Sequence, residues 1–289
     1  MPVATPDLLA SCWTTAGDAG PMTADERSPF RLRDRIETAA AAGYRGFGIV
    51  HADLLQARAT IGYPALRSLL GDSGIRHVEI EFLDRWYARG AERERSDAIR
   101  ADLLQAAGQL GARHIKVGGD ITSAPVPWDE FVTDFRALCQ NAADSGTRIA
   151  FEPVPFGNVP DLAAGRRLVE MAGHPAGGLM LDLWHMARGG SRPGFGDVAS
   201  LPGRYVFAVE LDDADADVVG SLLEDTLHRR RLCGEGSQDV TGFIRAVGRA
   251  GFAGPWGVEI LSDDFRRLSL QDQVTRSYET TAAALRRAL

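Results

Sequence analysis

The sequence predicts an α/β protein built as a single closed (β/α)8 barrel, the TIM barrel. Eight short runs of β-branched and aliphatic residues recur along the chain, and each is followed by a helical stretch. Strict alternation of strand and helix is typical of a parallel sheet. The 289 residues provide about 36 residues for each of eight units, which favours a closed barrel over an open doubly wound sheet.

Strands are predicted where the apolar runs are bounded by glycine or polar residues. Each run has the length of a buried strand of a parallel sheet, in which both faces are covered. The eight predicted strands are Leu8–Trp13, Tyr44–Val50, Ile75–Phe82, Arg113–Val117, Arg148–Pro153, Gly178–Leu183, Tyr205–Leu211 and Trp256–Leu261.

Helices are predicted between the strands, where apolar residues recur three or four positions apart and charged residues fill the other positions. Several of these stretches end at a glycine, as helices commonly do. The predicted helices are Pro29–Ala42, Tyr63–Leu70, Glu92–Leu110, Trp128–Ala143, Asp161–Ala172, Asp239–Ala250 and Leu270–Leu289.

No Ser- or Pro-rich linker divides the chain, so we expect one domain over residues 1–289. Two segments are longer than a simple connection between a strand and a helix, at 189–202 after strand six and 212–236 after strand seven. Both follow barrel strands, on the side where barrels of this kind build their active sites. The first strand is not followed by a Gly-x-Gly-x-x-Gly motif, which weighs against a dinucleotide-binding fold.

Composition and charge narrow the class of function. The net charge of −7 is a poor match for a phosphate backbone, so we expect no nucleic-acid partner. The longest apolar runs fall far below the ~18–20 residues of a membrane span, so we expect no membrane association. Cys12, Cys139 and Cys233 form no Cys-x-x-Cys motif, and no secretory signal is visible, so we expect a cytoplasmic location. The oligomeric state is left open, including a homo-oligomer.

Polar residues stand where the predicted strands end. They are His51, Glu81, Lys116, Glu152, Asp182, Glu210 and Glu259, on strands two to eight in that order. Because the carboxyl ends of barrel strands converge on one mouth, these side chains are expected to meet in space. His185 follows Asp182 by three residues and joins the same group.

A partly dry cavity lined by several carboxylates is electrostatically unfavourable unless protons or a cation relieve the repulsion. Carboxylates with one imidazole suit a hard or borderline divalent ion, so the sequence predicts Mn²⁺, Mg²⁺ or Co²⁺, with Zn²⁺ less suited. Lys116, the single lysine of the chain, allows the alternative of a Schiff base, although acidic neighbours would stabilise its protonated form. Trp13 and Trp86 are candidates for stacking on a sugar ring.

Five segments carry a resemblance to a known family. They are FEPVPFGNVPD, LMLDLWHMARGG, VFAVELDDAD, RRRLCGEGSQDVTGF and PWGVEIL. Together they resemble the xylose-isomerase-like barrel superfamily of sugar isomerases and epimerases, over nearly the whole chain.

The resemblance implies one divalent metal held by Glu152, Asp182, Glu210 and Glu259. Glu210 departs from the family pattern, because a neutral ligand is more common on strand seven. The same resemblance implies that His185 contacts the substrate. It also matches Arg231 and Glu235 to an Arg-x-x-Gly-Glu-Gly element, whose charged residues would face the ligand over the barrel mouth.

The expected function is a divalent-metal-dependent isomerase or epimerase of a sugar or cyclitol, acting through an enediolate. Glu152 and Glu259 would transfer the proton, and His51, Glu81 and Lys116 would bind the polyol. Loss of a β-hydroxyl from the same enolate gives the lyase alternative, of the 3-dehydroshikimate or inosose dehydratase type. A Schiff-base aldolase using Lys116 and a non-catalytic sugar-binding subunit are the remaining alternatives.

Overall fold

The computed structural model describes residues 6–121, 125–191 and 193–289. Eight parallel strands form a closed barrel in which each strand pairs with the next and β8 pairs with β1. The predicted (β/α)8 barrel is therefore confirmed. The strands are β1 (Leu8–Ala10), β2 (Gly46–Val50), β3 (His77–Leu83), β4 (His114–Gly118), β5 (Ile149–Glu152), β6 (Gly177–Asp182), β7 (Val206–Leu211) and β8 (Trp256–Val258).

All eight strands were predicted, but the first and last are shorter than expected. β1 ends at Ala10, and a 3-10 helix over Cys12–Thr15 follows it. β8 ends at Val258, so Glu259 lies one residue beyond the strand. At both places the chain leaves the sheet early and turns over the barrel mouth, which brings residues of the connecting segments to the site.

Helices surround the barrel and pack on it through apolar faces. The helices are α1 (Leu32–Ala42), α2 (His51–Thr60), α3 (Gly62–Asp72), α4 (Ala91–Leu110), α5 (Trp128–Asp144), α6 (Leu162–Ala172), α7 (Leu183–Arg188), α8 (Gly196–Ala199), α9 (Leu222–His228), α10 (Val240–Ala250), α11 (Asp263–Arg266) and α12 (Leu270–Ala288).

Five helices were not predicted: α2, α7, α8, α9 and α11. The last four are seven residues long or shorter, too short to show a helical period. Two of them, α8 and α9, lie within the expected long loops at 189–202 and 212–236, which are thus partly helical. No helix in the described part of the chain is both long and apolar enough to cross a membrane.

On β5, β6 and β7 the barrel interior carries an apolar layer below a charged layer. Ala150, Met180 and Ala208 pack with Phe207 as a buried cluster of their own. Two residues further along each strand, on the same face, come Glu152, Asp182 and Glu210. On β3 and β4 the positions below the charged layer are themselves polar, because Glu79 and His114 form a buried pair at 2.6 Å. The charged layer lies at the carboxyl ends of the strands.

Candidate active site

A cavity of about 500 Å³ opens at the carboxyl ends of the strands. Five of the predicted site residues line its lower part: Glu81, Lys116, Glu152, His185 and Glu259. Asp182 and Glu210 belong to the same charged layer, but both side chains are fully buried, and neither is among the described residues that line the cavity.

Lys116 is held by three carboxylates at the end of β4. Its Nζ lies 2.9 and 3.0 Å from the two oxygens of Glu210, 2.9 Å from Glu259 Oε1 and 3.1 Å from Glu81 Oε2. Burial by itself lowers the pKa of Lys116, but Glu210, Glu259 and Glu81 outweigh it and hold the pKa well above the ordinary value. A permanently protonated amine is not a nucleophile, so the geometry disfavours the Schiff-base alternative.

A second cation, Arg230, lies buried beside this group and was missed from the sequence. Its Nη1 donates to Asp182 Oδ2 at 2.6 Å and to Asp212 Oδ2 at 2.7 Å, and it lies 3.2 Å from Glu259 Oε2. Its Nη2 donates to His185 Nε2 at 3.3 Å. Glu259 therefore lies between two cations, with one carboxylate oxygen towards each.

The segment that carries Arg230 is fixed by the end of strand seven. The Asp213 carboxylate accepts hydrogen bonds from the backbone N–H groups of Ala214, Gly234, Gly236 and Gln238. Asp213 and Arg231 also form an antiparallel bridge. Neighbouring side chains of an extended segment point to opposite sides, so Arg230 points inward and Arg231 outward.

Arg231 and Glu235 therefore do not lie where the family pattern placed them. The Arg231 side chain is 44% exposed and pairs with Asp215 at 2.7 Å. Glu235 is 44% exposed and pairs with Arg276 at 3.2 Å. The expectation that these two residues face the barrel mouth is wrong, and Arg230 supplies the inward guanidinium. The run of three arginines at 229–231 could have indicated a buried guanidinium, but only the strand pairing determines which of the three side chains points into the barrel.

Glu152 and His185 form an edge of the cavity floor at which a buried carboxylate oxygen lacks a hydrogen-bond partner. Glu152 Oε1 is buried and has no hydrogen-bond partner among the described residues, and His185 Nε2 lies 3.6 Å from it. Burial raises the pKa of Glu152 to about 8, with Glu259 and Asp182 adding to the shift. Burial and the nearby Arg230 lower the pKa of His185 well below its ordinary value, so its imidazole is neutral.

The hydrogen bond from Arg230 also defines the protonation of that ring. A guanidinium only donates, so His185 Nε2 accepts and the ring proton lies on Nδ1. The backbone positions the ring as well, because Asp182 caps α7 by accepting from the His185 N–H at 2.8 Å. The local sequence Asp-x-x-His thus places a carboxylate and an imidazole together at the end of β6.

The upper wall of the cavity is mostly apolar. Trp13 and Phe156 line it together with leucines of the connecting segments. Trp86 does not line it, and its expected stacking on a ligand is wrong. The Trp86 side chain is buried against Phe131 and Phe135, and its indole N–H donates to the Gly118 carbonyl at 2.8 Å.

The rim of the cavity carries more acidic than basic side chains. Glu26, Asp84 and Asp120 lie there, and Arg85 pairs with Asp120 at 2.9 Å. Burial raises the pKa values of both Glu26 and Asp84. His51 also reaches the rim, where its Nε2 lies 3.1 Å from Asp102 Oδ2. His51 thus lies at the barrel mouth, as expected. Its imidazole already contacts the Asp102 carboxylate of α4.

A closed parallel barrel with a buried carboxylate, a neutral imidazole and two internal cations at its mouth carries its charged groups at the end of the sheet where TIM barrels build their active sites. The chain belongs to the xylose isomerase-like TIM barrel family, whose sequence profile matches residues 36–288.

Two curated relatives are 3-dehydroshikimate dehydratases. The Pseudomonas putida protein is 30% identical over 243 residues, and the Pseudomonas aeruginosa protein is 31% identical over 244 residues. Each alignment covers 81% of this chain but 37% of the relative. The chain thus spans little more than a third of the length of these relatives.

Solved structures share the fold. The IOLI protein, determined with a bound zinc atom, superposes with a TM-score of 0.80 at 18% identity, covering 98% of this chain and 99% of that one. A fusion protein of a xylose isomerase-like TIM barrel and a 4-hydroxyphenylpyruvate dioxygenase gives 0.79 at 24% identity, covering 95% of this chain and 42% of that chain. An L-ribulose 3-epimerase gives 0.72 at 16% identity, covering 98% and 95%.

Two groups of buried side chains could hold a divalent cation, and Arg230 and Lys116 already contact most of their ligand atoms. Ligand atoms of Glu152, Asp182 and His185 lie within 4.8 Å of one another, and so do those of Asp182, Glu210 and Glu259. Carboxylate oxygens with one imidazole are a donor set that hard and borderline divalent ions accept. The unpartnered Glu152 Oε1 supports the fit, because a buried carboxylate oxygen without a donor is costly unless a ligand satisfies it.

Proposed function

We propose that this chain is a divalent-metal-dependent lyase that removes water from a polyhydroxylated cyclic carbonyl compound, with 3-dehydroshikimate as the first substrate to test. The observation that carries the proposal is the Glu152–His185 edge. A buried carboxylate with a pKa of about 8 and an unpartnered oxygen faces the cavity beside a neutral imidazole. The dehydratase names of the two curated relatives support the lyase outcome.

The metal would be held by carboxylates of the charged layer, among which Glu152, Asp182 and Glu259 are candidates. When bound, a divalent cation polarises a substrate carbonyl and offsets the negative charge that develops on its oxygen. Mn²⁺, Mg²⁺ and Co²⁺ fit this oxygen-rich donor set better than Zn²⁺.

Glu152 is the residue proposed to move the proton. A carboxylate has two oxygens, so one can ligate while the other accepts the proton from the carbon next to the carbonyl. The electron pair of that C–H bond delocalises towards the carbonyl. It then returns to form the carbon–carbon double bond as the C–O bond at the next carbon breaks. The proton on Glu152 passes to the departing hydroxyl, so one water leaves and the carboxylate is regenerated.

His185 and Lys116 have supporting roles in this proposal. The neutral imidazole is positioned by Arg230 and by the cap of α7, and it lines the cavity beside Glu152. The Lys116 ammonium places a fixed positive charge beside the carboxylates. That charge favours the additional negative charge that develops on the substrate carbonyl oxygen in the transition state.

The experiment is a chelator-treated protein reloaded with each metal and incubated with 3-dehydroshikimate in deuterated water. We expect metal-dependent formation of a conjugated product with ultraviolet absorbance, abolished in Glu152→Gln. Glu170→Gln, on the exposed face of α6, is the matched control and should keep full activity. Absence of both water loss and α-deuterium exchange with every candidate would refute the proposal.

A second candidate is an isomerase or epimerase of an uncharged sugar or cyclitol, and the acidic rim favours it. Glu26, Asp84 and Asp120 oppose a carboxylate-bearing substrate, whereas Arg85 is the cation at the rim that could bind one. The same incubation separates the two functions. Deuterium exchange without water loss in ketoses or inososes supports the epimerase, and Arg85→Gln should raise the KM only for a substrate that carries a carboxylate.

A further inference from the structure

The upper wall of the cavity presents apolar side chains to solvent. Met22, Phe82 and Ile121 line the cavity, and all three side chains are exposed, Phe82 to 37% and Met22 to 59%. Exposed apolar groups that lie together in one cleft, rather than singly on the surface, are typical of a ligand-binding groove. The proposed proton transfer uses none of these residues, so the wall serves another purpose.

Phe82 reaches the cavity because β3 contains one extra residue opposite β4. Ile80 pairs with Ile115 and Leu83 pairs with Val117, so three steps along β3 match two steps along β4. In a regular strand Phe82 would share the outward face of Ile80, two positions before it. A bulge of this kind re-aims a side chain, and such bulges are frequent next to active sites. The irregularity therefore places an aromatic ring at the barrel mouth.

The neighbouring strand leaves room for that ring. A Cβ atom on Gly118, the last residue of β4, would lie 2.5 Å from Phe82 Cζ, so the ring fits here only against a glycine. After β5, the Phe156 ring lines the same cavity, with its centroid 5.9 Å from that of the His185 imidazole. The apolar wall is thus continuous with the Glu152–His185 edge of the floor.

Two residues of the rim hold a backbone conformation that side chains rarely adopt. Met22 has a φ of 64° and Arg85 a φ of 53°, both in the left-handed region, and both residues line the cavity. Strained residues of this kind cluster at ligand sites, where the surrounding structure holds them in place. This observation is independent of the exposed apolar surface and indicates a ligand site at the same rim.

The size and charge of the cavity limit what this wall can bind. Its volume of about 500 Å³ falls among the ~300–1,000 Å³ of sites that enclose drug-sized ligands, which are larger than one polyhydroxylated ring. Glu26, Asp84 and Asp120 at the rim oppose an anionic group. A ligand that fits both parts has a polar ring at the charged floor and an uncharged apolar group at the upper wall.

We propose that Phe82 and Met22, with Trp13 and Phe156, form a subsite for an uncharged aromatic group carried by the polyhydroxylated ring that binds at the floor. Aromatic walls favour aromatic ligands, because ring pairs contribute more than the area they bury. The proposal rests on the proposed function for the place of the polar ring, but not on which bond is broken. It makes Phe82 a residue that determines specificity and not a catalytic one.

The first test compares phenyl β-D-glucopyranoside with methyl β-D-glucopyranoside, in separate calorimetric titrations of the protein with Mn²⁺ present. The two probes share the polar ring and differ in the aromatic group. We expect the phenyl compound to bind at least about 10-fold more tightly, because the subsite removes its aromatic surface from water. Equal Kd values, or no detectable binding of the phenyl compound, would overturn the proposal.

Two variants locate the preference in the wall. Phe82→Ser should bring the two Kd values to within about 2-fold of each other, because the main apolar contact is lost. Met22→Asn should reduce the ratio of the Kd values by about 3-fold, and asparagine tolerates the left-handed backbone of this turn, so this variant tests the wall even if Phe82→Ser fails to fold. Ile61→Ser removes an exposed apolar side chain at the far end of α2, and this control should leave the ratio unchanged. An unchanged ratio in Phe82→Ser or Met22→Asn would overturn the proposal.

A protein surface is the alternative occupant of an exposed apolar rim. Sedimentation at several protein concentrations tests for it with the full chain. Self-association that Phe82→Ser abolishes, together with equal Kd values for the two glucosides, would assign the wall to a second copy of this chain and overturn the subsite.

These titrations need no turnover. A phenyl preference in a protein without lyase or epimerase activity would leave the subsite intact and refute the proposed function. Metal-dependent activity on 3-dehydroshikimate with equal Kd values for the two glucosides would refute the subsite and leave the lyase standing.

Discussion

The two sides of the cavity floor contrast in how their charged groups are satisfied. On the Lys116 side, an ammonium contacts Glu81, Glu210 and Glu259 at 2.9–3.1 Å. On the Glu152 side, a buried carboxylate oxygen lacks a hydrogen-bond partner among the described residues, and the neighbouring imidazole is 3.6 Å away.

The contrast separates charge that maintains the structure from charge that is available to a ligand. A buried ion pair offsets its desolvation only when both partners remain, so the Lys116 side is held by mutual attraction. An unpartnered buried oxygen is destabilising in the free protein and gains most from a cation or a proton. The Glu152 side should therefore govern activity, whereas the Lys116 side should govern stability.

The largest expected effect is that of Glu152→Gln on turnover. Removing the base should lower kcat by about 10²–10⁴-fold in a dehydration or α-proton exchange assay. The free energy of unfolding of the metal-free protein should stay equal or rise, because a neutral amide replaces a carboxylate that burial penalises. Turnover within 10-fold of wild type would show that the proton is moved elsewhere.

Lys116→Met should have the largest effect on stability. The change leaves Glu81, Glu210 and Glu259 buried without their ammonium, and breaking a buried pair of this kind costs about 3–5 kcal/mol. Urea unfolding at pH 8 of the metal-free protein measures the loss. Arg33→Met, at an arginine that is 63% exposed and paired with Glu37, serves as the control and should change stability by less than about 0.5 kcal/mol. Equal effects in the two variants would contradict the assigned role of the Lys116 side.

Glu81 provides a test by pH. Burial raises its folded-state pKa to about 7 from an ordinary 4.5, against the opposing pull of Lys116. The folded protein thus holds this proton up to about pH 7, whereas the unfolded chain releases it near pH 4.5. Its contribution to stability is complete below pH 4.5 and is lost as the pH rises through 7.

Glu81→Gln removes that titration. The free energy of unfolding of the variant relative to wild type should therefore rise by up to about 3 kcal/mol between pH 5 and pH 8. Denaturant unfolding at several pH values checks this, with the exposed Glu37→Gln variant as the control for loss of one carboxylate. A difference that is flat with pH would mean that the Glu81 carboxylate is ionised throughout this range.

The smallest effect is expected at Arg231, which lies on neither the Lys116 side nor the Glu152 side of the cavity floor. Its pair with Asp215 is largely exposed, so Arg231→Ala should cost less than about 0.5 kcal/mol and leave turnover unchanged. The adjacent Arg230→Met should reduce both stability and turnover, because it leaves Asp182 and Asp212 buried without their cation. If Arg231→Ala lowered turnover, the outward position of this side chain would be wrong.

Much of the site was predictable because strand ends are visible in the sequence. Glu152 and Asp182 end apolar runs and Glu210 is the last residue but one of another, and a parallel barrel brings such ends together whatever the details of packing. Arg230 was not predictable. It belongs to a run of three consecutive arginines, and only the backbone bridge between Asp213 and Arg231 determines which of the three side chains points into the barrel. Trp86 was misplaced because a tryptophan near a strand end packs equally well in the core.

The sequence by itself determined the barrel, through eight alternating units, and the acidic character of its mouth, through the residues that end the strands. The tertiary structure decided which of those charges cancel. Pairing depends on distances of a few ångströms between strands far apart in sequence, such as Lys116 on β4 and Glu210 on β7. Electrostatic energy falls steeply with distance and with exposure. Only the closed barrel therefore determines which carboxylate is paired with a cation and which is free to react.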